Sequence, residues 1–117
     1  MAGQRMRRVN EAIREVLSEA IACGLKDPRI GFVTLTTVDT SADLRYAKVY
    51  FSVLGGEAER EDTLAGLECS HGYLQSLIGR QLSLKRTPQL IFIYDESIDQ
   101  GLRMEKLLKE LEDEHTG

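Results

Sequence analysis

The chain has 117 residues, with 15 Lys and Arg against 19 Asp and Glu, a formal net charge of -4 and a pI near 5.2. That length fits one compact domain with one core. The acidic balance excludes nucleic-acid binding by bulk charge but leaves room for a local basic face. Four Tyr, three Phe and no Trp imply an aliphatic core.

Val9, Ile13, Val16, Leu17, Ala20 and Ile21 recur on one helical face and predict a helix over about 6–23. Gly24 and the Asp27-Pro28 pair stop it. Two strands follow, over about 32–39 and 46–54. In the second, Ala47, Val49, Phe51 and Val53 alternate with Lys48, Tyr50 and Ser52, the pattern of a half-buried strand. Thr40 to Asp43 supplies the connecting turn, too long for a tight primed hairpin.

Gly55-Gly56 ends the hairpin, and an acidic helix is predicted over about 58–69 with Leu64 and Leu67 inward. Ser70-His71-Gly72 interrupts it. Adjacent Ser and Gly are a cause of helix kinks, so the stretch is either two helices with a sharp junction or one kinked helix. Gly72 is expected to remove side-chain bulk where the two meet. Helical spacing resumes at Tyr73 and runs to about Ser83 through Leu74, Leu77, Ile78 and Leu82. A basic corner, Lys85 and Arg86, precedes the Thr87-Pro88 break, and a strand follows over 89–94. A last amphipathic helix is predicted from Ser97, with Gln100 completing a capping box and Ile98, Leu102, Met104, Leu107, Leu108 and Leu111 on its apolar face. Residues 1–112 form the expected domain, and 113–117 an acidic, frayed tail.

Catalytic constellations are absent. His71 has no acidic residue four positions away, and His115 lies in the tail. Asp95-Glu96 reads as a turn and helix start. Asp39 and Asp43 flank a turn without a calcium-loop pattern. Cys23 and Cys69 have no zinc spacing and are expected to be buried, reduced thiols. No signal peptide or long apolar run occurs, so the expectation is a soluble, cytoplasmic protein. No enzyme activity, metal or cofactor is expected.

The order αββααβ predicts an α+β fold, a three-stranded sheet packed against helices. It is the order of a type II KH domain, in which a GxxG loop between two helices clamps nucleotide backbone. This chain has no GxxG; the kinked helix pair stands in its place. Three segments, RRVNEAIREVLSEAI, DPRIGFVTLTTVDTSADLRYAKVYFSVLG and HGYLQSLIGRQLSLKRTPQLIFIYDESID, resemble the ribosome-binding factor A family over nearly the whole chain. The pairing of DLRYAKVY with TPQLIFIYDES is the most specific part.

The resemblance implies a KH-like fold with an Ala-x-Gly kink. It also implies binding to the precursor of the small (30S) ribosomal subunit and its 16S rRNA in late maturation and rRNA processing, no catalysis, and release aided by ribosome-associated GTPases. A monomer is expected. Ser70 stands where the family usually has Ala; Gly72 matches. The acidic end of this chain replaces the basic tail of some members. Candidate RNA contacts are Arg7, Arg8, Arg45, Lys48, Ser70, His71, Gly72, Arg80, Lys85 and Arg86, because guanidinium and ammonium groups suit phosphate. The alternative, carried by the acid segments, is a protein-interaction module without direct RNA contact.

Overall fold

The computed structural model describes residues 2–23, 25 and 27–97. Six elements follow one another: α1 (Ala2–Ala22), β1 (Val33–Thr40), β2 (Tyr46–Val53), α2 (Glu57–Cys69), α3 (His71–Gln81) and β3 (Gln89–Tyr94). The sheet order is β1-β2-β3, with β1 antiparallel and β3 parallel to the central β2. The α+β, KH-like architecture expected from the element order is therefore the one observed. The amphipathic helix expected from Ser97 onward lies outside the described residues.

The apolar periodicities become one core. Ile13 and Leu17 of α1, Leu67 of α2, and Leu74, Leu77 and Ile78 of α3 meet Leu35, Val38, Ala47, Val49, Phe51, Leu90 and Phe92 of the sheet. Phe51 has no exposed surface, and its ring meets Tyr94 edge-on at 5.7 Å. From α2, the Arg60 guanidinium lies 4.2 Å from the centre of the Tyr94 ring, a cation–π contact.

Both outer strands have backbone groups that face away from β2, and helix side chains bond them. On β1, the Thr40 N–H donates to Asn10 Oδ1 of α1 at 2.9 Å. On β3 the logic follows from parallel pairing, where alternate residues direct N–H and C=O to opposite sides. Gln89 N–H bonds inward to the Arg45 carbonyl at 2.9 Å. Leu90 faces outward: its N–H donates to Gln75 Oε1 at 3.1 Å, and its carbonyl accepts from His71 Nε2 at 3.1 Å. The Gln75 amide also donates to the Pro88 carbonyl. Two side chains of α3 thus act as the next strand for β3.

β1 carries a bulge at Thr36 between Leu35 and Thr37. Thr36 Oγ1 donates to Asp95 Oδ2 at 2.6 Å, a bond that passes over β2. Asp95 Oδ1 accepts from Ser97 N–H at 2.9 Å; the expected Ser97–Gln100 capping box lies outside the described residues. Bonds from Ser97 and then Thr36 hold the Asp95 carboxyl below the usual carboxylate range.

Several local expectations need correction. α1 begins four residues before the predicted start; Ala2 to Arg5 carry no apolar spacing that would have marked it. α3 begins at His71, not Tyr73, so the junction is Ser70 alone. Its φ of -89° and ψ of 1° break the helix, while Ser70 N–H still reaches Gly66 O and Leu74 N–H still reaches Ser70 O.

Gly72 therefore sits inside α3, exposed, and a Cβ built there meets nothing within 4 Å. It does not relieve crowding between helices. The crowded glycine is Gly66, one turn before the break, where a Cβ would lie 2.5 Å from Ile30 Cγ1. Cys23 and Cys69 are exposed, not buried, because each ends a helix on its polar side.

Phe92→Ala should cost about 3–5 kcal/mol in urea unfolding, since it empties a site between β3 and the helices. Gly66→Ala should destabilise by about 1–3 kcal/mol through overpacking against Ile30. Gly72→Ala should match the unchanged protein or gain up to about 1 kcal/mol, as a helix position freed of glycine. Similar unfolding midpoints for the two alanine variants would overturn the assignment of Gly66 as the packing glycine.

Candidate nucleic-acid interface

Three segments meet at the end of the sheet where β2 and β3 begin. They are the first turns of α1, the β1–β2 loop, and the α3–β3 connection. Between them lies a groove of about 750 Å³ whose rim carries Arg5, Arg45, Lys85 and Arg86, with Val9 and Leu84 in its wall. Asp43 is the carboxylate among its lining residues, and it faces Arg45 at 3.5 Å. Among the described residues no carboxylate pairs with Arg5, Lys85 or Arg86. A surface of local positive charge therefore exists within a chain of net charge -4.

The β1–β2 loop is built to hold its shape. Ser41 Oγ accepts from Arg45 N–H at 3.2 Å and Tyr46 N–H at 3.1 Å, and donates to Asp43 Oδ1 at 2.7 Å. Asp43 Oδ1 also accepts from Arg45 N–H at 3.1 Å. The Ser41 hydroxyl and this amide lower the Asp43 pKa, as bonds to an ionised carboxylate do. Leu44 is held at φ 60°, a left-handed conformation that costs a non-glycine residue about 1–2 kcal/mol. This bonded turn fixes where Arg45 enters β2. On the opposite side, the Gln75 and Leu90 bonds fix where the chain carrying Lys85 and Arg86 enters β3.

The ten candidate contacts do not share one surface. Arg45, Lys85 and Arg86 meet in the groove. Arg5, which the sequence reading grouped with its neighbours but did not select, joins them there. Arg7 and Arg8 line a second, more open groove between α1 and the bulged part of β1, together with Asn10, Glu11 and Arg14. Glu11 is there already paired with Arg14.

Lys48 projects from the face of β2 opposite the core. Arg80 is exposed in the last turn of α3 and does not line the first groove. Ser70 is the helix junction itself, and Gly72 lies in the first turn of α3. His71 is turned inward; its Nε2–H bonds the Leu90 carbonyl, and its ring meets Phe92 edge-on at 6.4 Å. The signal that singles out Arg5 is helical spacing: it lies one turn before Val9, the first residue of α1 to touch the core.

Among the described residues no group of His, Cys, Asp and Glu is arranged to hold a metal ion, and no helix is long and apolar enough to cross a membrane. What the groove can do chemically is bind anions by charge-assisted hydrogen bonds from guanidinium and ammonium groups.

Comparison with known proteins agrees with the fold. Residues 5–108 match the family model of ribosome-binding factor A. A ribosome-binding factor A of Halothermothrix orenii is 45% identical over 97% of this chain and 93% of its own length. A Thermotoga maritima protein solved in solution by NMR superposes with a TM-score of 0.71 and 36% identity, over 80% of this chain and 89% of that one. A homology model of Thermus thermophilus ribosome binding factor A, fitted into the cryo-electron microscopy map of its 30S complex, gives a TM-score of 0.61 and 26% identity over 74% of this chain and 91% of that one. With its fold, its kinked helix pair and near full-length similarity all in agreement, the chain belongs to the ribosome-binding factor A family.

Proposed function

We propose that this protein binds the immature small (30S) ribosomal subunit through its 16S rRNA and promotes late maturation and rRNA processing without catalysing a reaction. The observation that carries the reading is the convergence of Arg5, Arg45, Lys85 and Arg86 on one groove from three separate segments. Such a cluster costs self-repulsion in the free protein, and a polyanion relieves it. The Thermus thermophilus relative fitted into a 30S complex supports the same partner.

In this reading the domain spans residues 1–112, acts as a monomer in the cytoplasm, needs no cofactor, and leaves the subunit with the help of ribosome-associated GTPases. Arg7 and Arg8 extend the contact along α1, and Lys48 extends it onto the sheet. Ser70, His71 and Gly72 contribute less, because the His71 imidazole is already committed to β3. A role as a protein-interaction module remains the rival reading and predicts binding that ignores salt.

Affinity for precursor small subunits, or for their 16S rRNA, should fall steeply with salt. Neutralising about four phosphates gives a slope of log K on log salt near -3 for single strands. Lys85→Ala and Arg86→Ala should each reduce the slope by about one unit, while Arg80→Ala leaves it unchanged. Titrations at several salt concentrations check this. A flat salt response with intact subunit binding would assign recognition to ribosomal protein instead.

A further inference from the structure

The basic groove lies at the end of the sheet where β2 begins, and the face of β2 away from the core starts at that same end. Strand alternation sends Ala47, Val49 and Phe51 of β2 into the core and Tyr46, Lys48 and Tyr50 to the other side. Tyr46 is the first residue of β2, immediately after Arg45 at the groove, and half of its surface is exposed. Its register partner on β3 is Gln89, also an exposed residue, and the partner of Lys48 is Ile91. At the end of the sheet where the groove lies, the opposite face therefore carries an exposed phenol ring with Gln89 and Lys48 as its neighbours.

We propose that this face is a second part of the RNA site and that it takes an unpaired segment, one base stacking on Tyr46. The inference rests on the groove being the phosphate contact. Each element of the chemistry is on this surface. An exposed aromatic ring on a sheet offers a base a stacking platform, which a paired base inside a duplex cannot use. Lys48 lies two residues along the same face, within the spacing of a neighbouring phosphate. Gln89 can donate to and accept from the edge of the stacked base.

The backbone beneath Tyr46 is fixed before any ligand arrives, by the bonds of its N–H to Ser41 Oγ and its carbonyl to Ser41 N–H. Strand propensity alone favours tyrosine on a sheet; what it does not account for is a half-exposed ring next in the chain to a cation of the groove. Asp39, beside Lys48 in the ladder, limits the charge of this face, so its contribution is stacking and not ion pairing.

The test compares the full chain with Tyr46→Ala and Tyr46→Phe. The probes are a short single-stranded RNA carrying a fluorescent base analogue and an RNA hairpin of matched composition. Tyr46→Ala should lose about tenfold in affinity for the single strand with the salt slope unchanged, and little for the hairpin. Tyr46→Phe should restore both affinity and quenching of the base analogue. Thermal unfolding of each variant confirms that the fold is intact.

Unchanged affinity of Tyr46→Ala for the single strand, or equal losses on both probes, would overturn the stacking assignment while leaving the groove in place. Intact RNA binding with weakened binding to precursor subunits would assign the face to a ribosomal protein and overturn it too. Failure of the unchanged protein to bind either RNA would remove the reading on which the inference rests, and is told apart by the wild-type titration.

Discussion

The bond between Gln75 and the outer edge of β3 organises the rest of the molecule. A parallel edge strand of six residues has backbone donors and acceptors on its open side. Left unbonded in a partly buried place, each costs about 1–3 kcal/mol. Gln75 satisfies the Leu90 N–H and the Pro88 carbonyl, and His71 satisfies the Leu90 carbonyl. These contacts lock α3 along β3, so the chain between them can take only a narrow set of paths. Lys85 and Arg86 lie on that path, and it ends beside Arg45. The cationic groove is thus a consequence of how an edge strand is completed.

This origin explains how a chain of net charge -4 can carry a groove rimmed by cations. Acidic residues of α2, Glu57, Glu59, Glu61 and Asp62, belong to an element that packs on β2 and β3 and contributes nothing to the groove lining. At physiological salt the Debye length is about 8 Å, so local cations decide what the groove attracts. Net charge controls non-specific association; the site is set by which three segments converge.

Much of the fold was legible because its signals are local. β3 falls on residues 89–94 as alternation and the Thr-Pro break require, and β2 begins at Tyr46 as expected. The interior positions of α1 and α3 followed from apolar spacing. Contacts between distant segments were not legible. The Thr36 to Asp95 bond spans 59 residues, and the Leu90 to Gln75 bond joins a strand to a helix side chain. Arg5 joins the groove because α1 starts earlier than its apolar repeat. Cys23 and Cys69 defied their residue type because each sits at a helix end. The site suffered more than the fold, since a basic residue gives no local sign of which other basic residues it will face.

The two glycines of the α2–α3 region separate packing from recognition. Sequence pattern drew attention to Gly72 because it adjoins the break, yet its Cβ position is open. Gly66 lies under Ile30, in a loop braced by the Asp27 carboxylate. Bonds from Arg29, at 2.9 Å from its Nε and 3.0 Å from its N–H, hold the Asp27 pKa down to about 2. The position of α2 is set by that close approach, and the position of α3 by its bonds to β3. Ser70 need only supply one residue with φ and ψ outside the helix between two elements already placed. In a KH domain with a GxxG loop the same junction must admit nucleotide backbone. Here its structural duties are met by packing, and Lys85 and Arg86 stand beyond the other end of α3, on its connection to β3.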